Sequence, residues 1–105
     1  MTPLDRFTQD DLIAQLGMET VAKGLGYLSR VSALSADGAV VSALVKGRQR
    51  TPYSVHADVV ERDERPALNS MCTCPMGYDC KHVAAMMLVL LHQRQRPDRP
   101  REQVL

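Results

Sequence analysis

Three cysteines and one histidine fall within eleven residues: Cys72-Thr73-Cys74, a five-residue gap, then Cys80-Lys81-His82. Three thiolates and one imidazole are a complete tetrahedral donor set for zinc. With all four positions taken by protein no place is left for water, so the pattern specifies a structural centre, not a catalytic one. Other chemistries fit less of it. Cys72 and Cys74 alone could be small buried hydrophobes, but that leaves Cys80 and His82 without a reason. An iron–sulfur centre usually asks for four thiolates or a two-histidine variant. A redox thiol pair would more often show CxxC, which is absent, and a cysteine–histidine nucleophile is a third alternative.

The spacing constrains the elements that hold these donors. Side chains at i and i+2 on a strand point the same way, so Cys72 and Cys74 at the end of a strand over 67–73 can face one ion. Pro75 stops the strand, and Gly77 is free to take positive φ where the chain turns back. On a helix, i and i+2 lie roughly 200° apart, so Cys80 and His82 cannot both sit on regular helix and face the same ion. Cys80 therefore belongs in the turn or at the cap of a helix over 80–94, with His82 in its first turn. There the helix N-terminus also favours a thiolate at Cys80.

Upstream, Thr8 and Asp11 make a capping box opening a helix with Leu12, Ile13 and Leu16 on its apolar face, ended by Gly17. Met18, Val21, Ala22, Leu25 and Leu28 then recur at helical spacing. Gly24 and Gly26 inside that stretch cost about 1 kcal/mol each against alanine, which points to something packing close. From Val31 the period shortens. A strand to Leu34, a turn signal at Ala36-Asp37-Gly38, a strand over 39–46 and a polar turn from Gly47 to Thr51 follow. Tyr53, Val55, Ala57 and Val59 alternate cleanly with polar residues, and Glu61 to Pro66 reads as a charged turn. Two helices, about four antiparallel strands, a tight loop and a helix make an α+β domain. Residues 1–94 are expected to form one domain, with the metal motif at 72–82, and 95–105 a flexible tail or linker.

The segment CTCPMGYDCKHVAAMM resembles a SWIM-type zinc finger, whose pattern is CxC, a variable gap, then CxH followed by an apolar helix. The stretch before it resembles the bacterial subgroup found in Swi/Snf-type ATPases and in free-standing small proteins. The resemblance implies Cys72, Cys74, Cys80 and His82 as zinc ligands and a module that binds DNA or another protein, as an accessory domain of a helicase or on its own. It does not carry helicase activity across, since no GxxxxGK[ST] phosphate loop is present.

The chain has 105 residues and a net charge of +1, from 13 basic and 12 acidic side chains. No global field drives it onto nucleic acid, so such contact must come from a local patch. Lys46, Arg48 and Arg50 cluster at one turn, Lys81 sits between two ligands and Arg94 closes the helix, which makes these five the candidate phosphate contacts. The rival reading is a protein-docking module built on the helix 83–91, which is apolar all round; exposure of Met87 and Leu91 together would favour it. No carboxylate pair, nucleophile elbow or open metal position is present, so no enzyme and no small-molecule substrate is expected. The polar, acidic start from Met1 to Asp11 lacks a secretory pattern, and the longest apolar run has nine residues, where a membrane span needs about twenty. An odd, clustered cysteine set with no leader reads as reduced thiols in the cytoplasm.

Overall fold

In the computed structural model, residues 2–94 are described; the expectation for 95–105 falls outside them. Four helices flank and follow a four-stranded antiparallel sheet. They are α1 (Pro3–Arg6), α2 (Gln9–Leu16), α3 (Met18–Leu25) and, after the sheet, α4 (Lys81–Arg94). A 3-10 turn at Leu28–Arg30 leads into β1 (Val31–Asp37), β2 (Val40–Val45), β3 (Tyr53–Arg62) and β4 (Arg65–Cys72), and the sheet runs in that order as a meander.

Alternation in β2 and β3 sets the inner face. Val41, Ala43 and Val45 lie beside Val55, Ala57 and Val59, all buried, while Ser42, His56 and Asp58 face outward. Register places Ala43, Val55 and Cys72 in one cross-strand row, so the first cysteine arrives on the core side of the sheet. β3 and β4 extend further into the segment expected to be a charged turn. Only Asp63 and Glu64 turn, both at positive φ, because a two-residue turn of this hand matches the twist of the strands it joins. Along the β1 edge, a register shift between Ser32 and Ser35 surrounds Ala33 at φ 54°, a bulge of the kind that blunts an open sheet edge.

α4 is buried on every side. Val83 to Leu88, Leu90 and Leu91 are all buried, Val83 to Met87 completely. The sheet covers one side, and α1 to α3 contribute Leu4, Phe7, Leu12 and Val21 to the same core. This is how a helix with no polar face is accommodated. Met87 and Leu91 are thus covered internally. The cover is not the one that helical spacing gave for α3: Met18, Ala22, Leu25 and Leu28 are exposed, and Val21 alone of that row is buried. α3 instead approaches α4 through Gly24. A Cβ there would lie 2.7 Å from the Ala84 Cβ and 3.0 Å from the Ala85 amide nitrogen. Close backbone approach replaces side-chain interdigitation, and the neighbours of Gly24 are accordingly pushed to the surface.

α1 has no counterpart in the sequence reading. Thr2 and Asp5 form a capping box around Pro3 at the first helical position. The Thr2 amide holds the Asp5 carboxyl below its ordinary range. Arg94, at the end of α4, donates to the carbonyl oxygens of Leu4, Asp5 and Phe7 and so fastens this segment to the helix.

Candidate metal centre

The donors are presented by three different pieces of backbone. β4 ends at Cys72, one residue short of the expected limit, and Cys74 lies in the loop, not on the strand. The loop closes on itself. The Cys72 amide donates to the Gly77 carbonyl at 2.8 Å, and the Gly77 amide donates to the Cys74 carbonyl at 3.0 Å. Gly77 takes φ 83°, as a turn at that point requires. Thr73 keeps the loop against β3: its amide donates to the Ser54 carbonyl and its Oγ1 accepts from the Ser54 amide.

Asp79 fixes the return. It adopts φ 47°, its amide donates to Ser70 Oγ at 2.7 Å, and the Ser70 hydroxyl donates back to its carboxylate. Gln15 of α2 completes the clamp by pairing with both backbone groups of Leu68 on the open edge of β4, and its amide nitrogen also reaches Asp79 at 3.4 Å. Cys80 immediately precedes α4, and its carbonyl accepts the Ala84 amide to open the helix. His82 lies in the first turn. Both placements follow the geometric requirement that the CxH spacing imposed.

All four donor atoms lie within 4.8 Å of one another, and all four residues are buried. His82 Nδ1 is 3.7 Å from Cys72 Sγ and 3.6 Å from Cys80 Sγ. A tetrahedron with a metal–sulfur distance of about 2.3 Å and metal–nitrogen of about 2.0–2.1 Å has a sulfur-to-nitrogen edge of about 3.6 Å. The arrangement therefore suits a tetrahedral ion by donor type, by separation and by the burial of all four residues. Hydrogen bonding from the Cys72 thiol pulls Cys80 down to about 4, with the Val83 amide at the start of α4 helping against desolvation. The same contact, with burial, pushes Cys72 up. One thiolate is thus already stabilised among the donors.

Two rings hold the imidazole. Tyr27 meets His82 edge-on at 5.2 Å, and Tyr53 lies tilted against it at 4.6 Å. Tyr53 is seated over Gly47, where a Cβ would come within 2.4 Å of the tyrosine ring. The centre opens into a cleft of about 440 Å³, and Cys74, Cys80 and His82 themselves line it. Lys23, Arg48 and Lys81 line it, with no carboxylate among the lining residues, and none of the three is ion-paired within the described residues. Lys81 Nζ sits 5.0 Å above the Tyr27 ring, within cation–π range.

Of the five candidate phosphate contacts, Arg48 and Lys81 therefore meet at this cleft. Lys46 and Arg50 are exposed on the same β2–β3 connection but are not among its lining. Arg94 is elsewhere, at the opposite end of a helix about 20 Å long, and its guanidinium is engaged by the α1 carbonyls. Lys23 escaped the sequence reading because nothing local marks it: it and Tyr27 meet the motif only where α3 crosses α4.

Residues 68–91 match the family model of the SWIM zinc finger, a stretch that starts in β4, includes all four donors and ends in α4. That stretch thus reads as a SWIM zinc finger, and its Cys3His cluster could hold a metal ion. No curated protein and no solved structure gives a significant match to the chain.

Proposed function

We propose that this is a zinc-stabilised SWIM module that binds nucleic acid, DNA in the first instance, and that it serves as an accessory domain to a DNA-translocating ATPase or as a free-standing protein. Zinc on Cys72, Cys74, Cys80 and His82 would supply a cross-link between the end of β4 and the start of α4, with no catalytic role. The observation that carries the nucleic-acid reading is the cleft beside that centre. Three cations converge there without a carboxylate to neutralise them. Three thiolates and one zinc dication add one negative charge, so two positive charges remain uncompensated.

Mobility-shift or anisotropy titrations over a salt series test it. Binding that weakens linearly on a log–log salt plot is expected. Failure of both single- and double-stranded DNA to bind in a salt-dependent way would remove the reading. A docking role for protein partners finds support in a different place, the exposed Met18, Leu25 and Leu28 on and just after α3. Met18→Ser with Leu25→Ser separates the two readings, since DNA binding should survive it.

A further inference from the structure

Resting on the nucleic-acid reading, we infer that the cleft takes a single unstacked nucleotide of a single strand, with its phosphates on Lys23, Arg48 and Lys81 and its base against the exposed tip of the metal loop. Three features of the site point this way.

The first is shape. The cleft lies between α3, the β2–β3 connection and the metal loop, with Cys74, Cys80 and His82 in its lining, and its volume of about 440 Å³, which includes the space facing those donors, is in the range of small-ligand sites. A base inside a duplex is stacked on both faces and offers only its edges, so a concave site of this kind admits a base only after it leaves the stack. α4, the longest helix of the described residues, is buried and so is not free to enter a groove.

The second is the distribution of charge. The cations sit on separate walls: Lys23 on α3, Arg48 on the β2–β3 connection and Lys81 at the start of α4. Successive phosphates of one strand can be tracked by such an arrangement.

The third is the tip of the metal loop. Met76 lines the cleft and is 63% exposed, and Tyr78 on the same loop is 64% exposed. Apolar side chains this open on a loop fixed by four donors and the Ser70–Asp79 pair are not there for packing. Of the two, Met76 lines the cleft and Tyr78 follows it by two residues outside the lining; an exposed aromatic ring on such a loop can serve as a stacking platform for bases, indifferent to sequence.

The test is fluorescence anisotropy of the metal-loaded chain with a labelled oligothymidylate of about twelve nucleotides and with a duplex of the same length. The single strand should bind the more tightly. Tyr78→Ala should weaken single-strand binding by about five- to a hundredfold and leave duplex binding unchanged. Lys23→Gln with Arg48→Gln should reduce the salt slope for the single strand by about 1.4, two phosphate contacts' worth. All three are surface positions, and metal content with melting temperature verifies that each variant is folded. Salt-dependent binding that is equal for the two forms, or indifferent to Tyr78→Ala, would overturn the single-strand cleft while leaving the nucleic-acid reading standing. Absence of salt-dependent binding to either form would overturn both. Preference for an acidic peptide over both oligonucleotides would likewise overturn the cleft assignment.

Discussion

His82 is held from two sides at once, by the sulfurs that face Nδ1 and by the tyrosines that flank its ring. Removing it therefore unmakes more than one metal bond. His82→Ala should lose bound zinc and leave a void between Tyr27 and Tyr53, whereas Cys80→Ser should lose zinc with the rings still in place. Metal analysis with amide hydrogen exchange checks this: both variants should lose protection first over the metal loop and the N-terminal turns of α4. His82→Ala alone should also expose the start of β3. Gln15 illustrates a different economy. One side-chain amide pairs with both the N–H and the C=O of Leu68 and so stands in for an absent fifth strand. Gln15→Ala leaves those backbone groups to water on a partly buried edge, a loss of about 1–3 kcal/mol. Urea denaturation should show the drop, with the Leu68 amide the most accelerated in exchange.

At the scale of elements, packing follows the small residues. Gly24 lies against Ala84 and Ala85, so α3 and α4 cross with almost no side chain between them. Gly24→Ala puts a methyl where the Ala84 Cβ already is, and because the obstacle is a Cβ and backbone, not a mobile side-chain end, the helices must separate. The expected cost is about 1–3 kcal/mol, read as a lower melting temperature with metal content retained. Gly24 also shows where sequence stops short. Its helical cost signalled a close approach, but not the partner, and the apolar row around it suggested a buried face that the crossing then turned outward. The metal ligands were legible because the chemistry is local: four donors within eleven residues, with strand and helix periodicity fixing which could converge. β3 was legible through its alternation. α1 was not, since four residues are too short for a period, and the fastening by Arg94 joins residues about ninety positions apart. Its arginine looked like one more surface cation until the fold supplied the Leu4, Asp5 and Phe7 carbonyls.

For the whole molecule, the centre joins the last strand to the helix around which everything else is packed, so metal binding and folding are expected to be one equilibrium. Apparent zinc binding in small fingers runs to about 10–16 kcal/mol, as much as the entire stability of a domain. Chelation should therefore lower the melting temperature of the whole chain, not of the loop alone. Acid should act by the same route, with a sign that can be worked out. An unfolded cysteine holds its proton up to about pH 8.5. In the metal-free fold, Cys80 is lowered to about 4 and Cys72 is raised, so between about pH 4 and the unfolded value of about 8.5 the pair carries one proton fewer than the unfolded chain. Stability then rises with pH at a slope of about one proton across that window and is lost as pH falls toward 4, whereas above about pH 8.5 the proton kept by Cys72 reverses the slope. With zinc bound, Cys72, Cys74 and Cys80 must all be thiolates, so the slope becomes about three protons below the unfolded cysteine value. Melts at fixed free zinc from about pH 8 to pH 6.5, beside melts in chelator, measure both slopes; a metal-loaded chain no steeper than the metal-free one would mean that the three thiols do not share one ion.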